Sequence, residues 1–128
     1  MAQTGGAADY PNRTVRVLNP SSLGGGDVMA RIIMPELGKL LGQNFYVDNR
    51  PGAANIVATE LAAKAPPDGY TIYLASSGTF VTNPLVYGKL PYSLKSFDTV
   101  SILAEAPFIL SVHPNLPATG LKQLIALA

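Results

Sequence analysis

Between Val15 and Tyr87 one order of residues recurs three times: a short apolar run, a turn rich in glycine, serine or asparagine, then apolar residues at helical spacing. A strand followed by a helix cannot pair with its immediate successor as a hairpin. It must cross over, and repeated crossovers build a parallel sheet with helices on both faces. This order therefore points to an α/β fold with a mainly parallel sheet, and leaves little room for all-helical or all-strand alternatives.

The first unit opens with VRVL at Val15 to Leu18, in which Arg16 interrupts the apolar run. Pro20 stops it and SSLGGG forms a loop. Val28, Met29, Ile32, Ile33, Leu37, Leu40 and Leu41 then recur with helical period. Asp27 stands where an N-cap belongs and Gly42 where a helix ends on a left-handed residue. Pro35 removes one bond inside this helix and should kink it. The second unit runs from Phe45–Asp48 through NRPGAAN to a helix over Ile56–Ala65, with Asn55 as the expected cap and Val57, Leu61 and Ala65 as its buried stripe. The third begins after a PPDG turn with Thr71–Ala75, continues through SSGT, and predicts a short helix over Phe80–Tyr87 interrupted by Pro84. Further on, Val100–Ala104 and Phe108–His113 read as two more strands around Ala106-Pro107. A last helix begins at Leu121, and the sequence stops within its apolar pattern. Residues 1–13 read as a flexible tail and 14–128 as one unit.

Composition narrows the function. Apolar residues make up 48% and charged residues 13%, a balance that suits a packed domain rather than a disordered one. The nine Lys and Arg are scattered and the net charge is +1, so no basic stripe suggests a nucleic-acid partner. With no cysteine and a single histidine, His113, the usual soft metal-ligand sets are missing; neither a metal nor another cofactor is expected. No apolar run is long enough to span a bilayer, and MAQTGGAADYPNRT lacks the charged and apolar regions of a signal peptide. It resembles what remains after one is removed.

In a sheet of this kind ligands bind beyond the carboxyl ends of the strands, where strand order reverses. Three loops lie at that edge: Ser21 to Asp27, Asn49 to Asn55 and Ser76 to Thr79. Each precedes a helix, whose first amides are unpaired and carry partial positive charge, so each is a physical receptor for a carboxylate. Enzyme motifs fail at the same places. A GxGxxG fingerprint started at Gly24 needs glycine at 29, where Met29 stands; no Lys follows the glycines as a P-loop requires; GxSxG is absent around Ser76 and Ser77. Asp27 has two readings. As a cap it satisfies its own helix, whereas as a ligand contact it would repel a carboxylate; the cap is the favoured reading.

The runs LGGGDVMARI, LGQNFYVDNRPGAANI, AAKAPPDGYTIYLASSGTFVTNPLVYGKLPY and VSILAEAPFILSVHPNLPATGLKQLIALA resemble the TctC/Bug extracytoplasmic solute receptors, from about Tyr10 to Ala128. The combination of NRPGA, PDGYT, SGT followed by NP, KLPY and VHP-x-LP carries the resemblance. It implies the first lobe of a two-lobe, periplasmic-binding-protein-like fold of type II kind, here incomplete and stopping in the helix from Leu121. It also implies a non-catalytic periplasmic receptor that binds a small carboxylate metabolite and delivers it to the membrane subunits of a tripartite tricarboxylate-type transporter. The implied ligand contacts are Ser21, Ser22, Gly24, Gly25, Gly26 and Asp27 in the first loop, with Ser76, Ser77, Gly78, Thr79 and Asn83 around the third. Two alternatives stand beside this reading: a small α/β enzyme domain binding a nucleotide or phosphorylated substrate at the same loops, and a structural or interaction fragment without ligand.

The sequence departs from the family pattern in two loops. Gly26 runs directly into Asp27, and Ala54 directly into Asn55, so each loop is one residue short. SSL also replaces the usual residues before the glycines. An incomplete lobe would leave an apolar face uncovered, which favours self-association.

Overall fold

The computed structural model describes residues 10–22, 24–107 and 109–128. Its centre is a parallel sheet of three strands in the order β2-β1-β3, with β1 at Val15–Asn19, β2 at Phe45–Asn49 and β3 at Thr71–Tyr73. Val17 pairs with Val47 on one side and Ile72 on the other. Being central, β1 is the most buried element: Val15, Val17 and Leu18 are wholly enclosed. A strand covered on both faces needs apolar side chains on both, which VRVL supplies. Arg16, the one exception, pairs with Asp48 diagonally across on β2 through Nε at 2.9 Å, and Arg50 Nε reaches the other oxygen of Asp48 at 2.9 Å. Burial pushes the Asp48 carboxyl up, but the hydrogen bonds and charges of the two arginines outweigh it and hold it below the usual range.

Helix α1 spans Gly25–Leu41 and packs Met34, with Ile33 and Leu37, on Val15, Val17, Phe45 and Val47. Its Pro35 does not end it: Pro35 and Arg31 are both exposed, so the bond that proline removes falls on the solvent side. The helix stops at Gly42, whose left-handed backbone (φ 69) lets its amide return to the Gly38 carbonyl. Gly38 is itself required there, since a Cβ would lie 2.8 Å from the Gln43 carbonyl oxygen.

Helix α2, Ile56–Ala63, covers the opposite face. The pleat puts Leu18 and Tyr73 on that side, and Thr59 of α2 bonds the Tyr73 hydroxyl at 2.8 Å. The expected stripe is corrected here. Ala58 and Thr59 are the buried residues of α2, while Val57 and Leu61 are exposed and Ala65 lies beyond the helix end. The helix spans little more than two turns, and small side chains make its contact with the sheet.

The turn before β3 has a structural purpose. Gly69 (φ 80) accepts a 2.6 Å bond at its carbonyl from the Tyr10 hydroxyl, and a Cβ there would meet the Tyr10 ring at 3.1 Å. Arg13 bonds Asp68 at 2.9 Å and stacks 4.1 Å over the Tyr70 ring. The stretch just before β1 is thus fastened to the turn leading into β3, and the expected tail, as far as it is described, is ordered from Tyr10 onward.

After β3 the expected single helix over Phe80–Tyr87 divides into a π turn at Gly78–Thr82 and a short helix α3 at Asn83–Val86. The two strands expected at 100–104 and 108–113 are a further correction. None of their described residues pairs into the sheet, and Phe108 lies outside the described residues. Val100, Ile102, Ile109 and Leu110 are largely exposed. A short apolar run can serve as a strand, but the ladder needs a partner, and nothing in the described residues supplies one. Helix α4, Leu121–Leu127, forms where its spacing predicts. No helix among the described residues is long and apolar enough to cross a membrane.

Candidate functional site

From β1 the chain moves to one side, to β2; from β2 it passes back across to β3 on the far side of β1. Crossovers of one hand in opposite directions put α1 and α2 on opposite faces, as found, and part the chain at the carboxyl ends of β1 and β3. The loops leaving these two ends are the first and third candidates. Both are tied to the sheet at their bases, where Arg50 N bonds the Asn19 carbonyl at 2.8 Å and Leu74 N bonds the Leu18 carbonyl at 2.9 Å.

Asn19 ends β1 and is 1% exposed. Its side-chain amide donates to the Ser21 carbonyl at 3.0 Å and to Asn49 Oδ1 at 2.9 Å, and its Oδ1 accepts from Ser21 N at 3.3 Å. Asn49, which ends β2, donates in turn to Asp27 Oδ1 at 2.8 Å, and Arg31 Nε donates to Asp27 Oδ2 at 2.7 Å. Two strand ends and the first turn of α1 are thereby joined beneath the glycines. The hydrogen bonds from Arg31 and Asn49 hold the Asp27 carboxyl below the usual carboxylate range, against the opposing effect of burial.

Asp27 is therefore not the N-cap. The cap position is held three residues earlier by Gly24 (φ 143), which makes no side-chain cap. Its first helical bond runs from Val28 N to the Gly24 carbonyl at 3.1 Å. That leaves the amides of Gly25, Gly26 and Asp27 with no acceptor in the helix. Gly24, Gly25, Gly26 and Ser22 are exposed and Ser21 is half-buried. Glycine leaves the amides uncovered, and the nearest carboxylate is already bonded to Arg31 and Asn49.

The third loop divides similarly. Ser76 and Ser77 are exposed and Gly78 half-buried, whereas Thr79 is fully buried and Asn83 nearly so. Thr59 Oγ1 spends its proton on the Asn55 carbonyl at 2.8 Å, so Tyr73 must donate to Thr59, and Thr79 to Tyr73 at 3.4 Å. Asn83 Nδ2 donates to the Ala54 carbonyl at 2.8 Å and to the Tyr92 hydroxyl at 3.4 Å. Of the residues expected to meet ligand, Asp27, Thr79 and Asn83 are thus committed to the framework. Ser21, Ser22, Gly24, Gly25, Gly26, Ser76, Ser77 and Gly78 remain at the surface of the edge.

The second loop is strained. Gly52 (φ 140) is followed by Ala53, Ala54 and Asn55 at φ 44, 52 and 73. Three successive left-handed residues with a Cβ are unfavourable by about 1–2 kcal/mol each. Asn55 does occupy the cap position of α2, but in this conformation its side chain makes no capping bond.

Asn19, Asn49, Thr59, Tyr73 and Tyr92 were not singled out by sequence. The one available signal was an asparagine closing each of two successive apolar runs. One further hollow is lined by Leu110, Val112, Ala118, Thr119, Gly120, Leu121 and Leu124, and by none of the loop residues.

This arrangement has relatives. The family model for the tripartite tricarboxylate transporter family receptor matches residues 29–128, and the chain belongs to that family. It is 36% identical over 127 residues to a UPF0065 protein of Bordetella pertussis, covering 98% of this chain and 39% of that protein. Protein BugT of the same organism is 37% identical, with 94% and 38% covered. Among solved structures, R. palustris Rpa4515 with adipate superposes with a TM-score of 0.86 at 38% identity, over 94% of this chain and 41% of that one. MatC (Rpa3494) from Rhodopseudomonas palustris, with bound malate, gives 0.61 at 38% identity over 65% and 29%. The chain spans about two fifths of the length of the curated relatives it matches.

Proposed function

We propose that this chain is the first lobe of a two-lobe periplasmic solute receptor, and that it supplies one wall of a site for a small dicarboxylate. The observation that carries the proposal is the start of α1. A helix of 17 residues begins on an uncapped glycine with exposed amides at Gly25 and Gly26. Such a terminus attracts a carboxylate by unpaired N–H groups and by the aligned peptide dipoles. Ser21 and Ser22 on the same loop, and Ser76, Ser77 and Gly78 beyond β3, add donors on the neighbouring strand end. Adipate and malate, named with two of the similar structures, have the matching chemistry. Binding would proceed without covalent change, and the filled receptor would hand its ligand to membrane subunits of a tripartite transporter.

Thermal unfolding in the presence of adipate, malate, their dimethyl esters and inorganic phosphate tests the proposal. A ligand at a hundred times its Kd stabilises the folded state by about 2.7 kcal/mol. The dicarboxylates should raise the melting temperature and the esters should not. A cooperative melt that no dicarboxylate shifts, or one that phosphate alone shifts, would sink the reading.

A further inference from the structure

KLPY and the NP of the third unit mark two residues, Tyr92 and Asn83, whose side chains bond within the chain. In the π turn each amide reaches back five residues, as Asn83 N does to the Gly78 carbonyl. The next amide in that register would belong to residue 84 and bond the Thr79 carbonyl, but Pro84 has none. The Tyr92 hydroxyl occupies the vacant position and donates to the Thr79 carbonyl at 2.9 Å. Asn83 donates to Tyr92 on one side and to the Ala54 carbonyl on the other. Hydrogen bonds therefore diverge from the Asn83 side-chain amide, to the left-handed turn of the second loop on one side and through the Tyr92 hydroxyl to the π turn of the third on the other.

We propose that Tyr92 and Asn83 form a latch that sets the second and third loops relative to one another, with the Tyr92 hydroxyl replacing the amide that Pro84 lacks. Both are positioning residues rather than ligand contacts; their role in binding rests on the carboxylate reading above. The latch explains how three left-handed residues persist. The Ala54 carbonyl of that turn finds a donor in the buried Asn83 side chain. It also explains why the π turn does not relax to ordinary helix, since its unmatched carbonyl is already satisfied.

Amide hydrogen exchange of peptides covering 51–58 and 76–83 tests the latch in Tyr92→Phe, Asn83→Ala, Pro84→Ala and the Tyr92→Phe/Pro84→Ala pair. Losing one net hydrogen bond corresponds to about fivefold faster local opening. Tyr92→Phe should accelerate both peptides by about that factor. With Pro84→Ala present, the new amide can serve Thr79, and the effect of Tyr92→Phe on 76–83 should shrink below about twofold. Acceleration confined to one peptide, or a Tyr92→Phe effect unchanged by Pro84→Ala, overturns the latch. Adipate titration separates the two claims. If the unsubstituted chain binds adipate and Tyr92→Phe binds it equally well, the latch does not position the site. If the unsubstituted chain binds no dicarboxylate, the receptor reading fails, and the exchange pattern alone decides the latch.

Discussion

The loops after β1 and β2 start alike and are built differently. Each leaves a strand that ends in asparagine, passes glycine, and opens a helix on an end without a side-chain cap. In the first, glycine occupies the positive-φ position at Gly24, and the polar groups of Asn19, Asn49 and Asp27 are paired beneath it. In the second, Gly52 is followed by three residues with side chains in the left-handed region, kept there by Thr59 and Asn83. One loop places its unusual backbone on the residue type that adopts it freely; the other imposes it through hydrogen bonds from outside. The first arrangement leaves amides exposed, while the second is held in shape by hydrogen bonds to its carbonyls.

The largest effect that would break this comparison belongs to Asn19. Asn19→Ala removes three hydrogen bonds at a buried position and strands Asn49, so it should cost about 2–3 kcal/mol by urea unfolding. A loss below about 1 kcal/mol would mean the first loop does not depend on its polar base. Thr59→Val takes the hydroxyl donor from the Asn55 carbonyl and the acceptor from the Tyr73 hydroxyl, at an expected cost of about 1–2 kcal/mol. Ala54→Gly should act the other way. Relief of left-handed strain exceeds the added freedom of the unfolded chain, for a net gain of about 0.5–1 kcal/mol. A destabilised Ala54→Gly protein would remove the claim that the second loop is strained.

The smallest effect concerns acid. The folded Asp27 carboxyl lies below its unfolded value, which is about 4. Its contribution to stability is therefore complete above that pH and is lost as pH falls through the lower folded value. Asp27→Asn should flatten the dependence of the urea midpoint on pH below about 4. Parallel profiles for the two proteins would show that Asp27 titrates alike folded and unfolded.

Legibility in the sequence followed the range of the interactions involved. The three strands of the sheet, the helix ended by Gly42 and the edge at which loops gather are local patterns, and each stands where the residues indicate. Helix α2 exists as expected, but its buried face is Ala58 and Thr59 rather than Val57 and Leu61, with Thr59 turned to the Tyr73 hydroxyl of β3. Asp27 reads as a cap from its position alone. Only with Asn49 brought beside it by the β1–β2 pairing does it become an anchor. Thr79 and Asn83 likewise turn inward because Tyr73 of β3, Tyr92 and the Ala54 carbonyl of the second loop meet them there. Val100–Ala104 reads as an apolar strand and forms none among the described residues.

By itself the sequence determined the α/β order of elements, the family, and the glycine-rich helix start whose amides suit an anion. These depend on residue spacing and on backbone preferences that act over a few positions. Tertiary structure alone decided which polar residues of the loops face outward and which hold the loops in place. A side-chain hydrogen bond is settled by whichever partner folding brings within about 3 Å, and for Asn19, Thr59, Asn83 and Tyr92 that partner, or one of them, lies on another element of the fold.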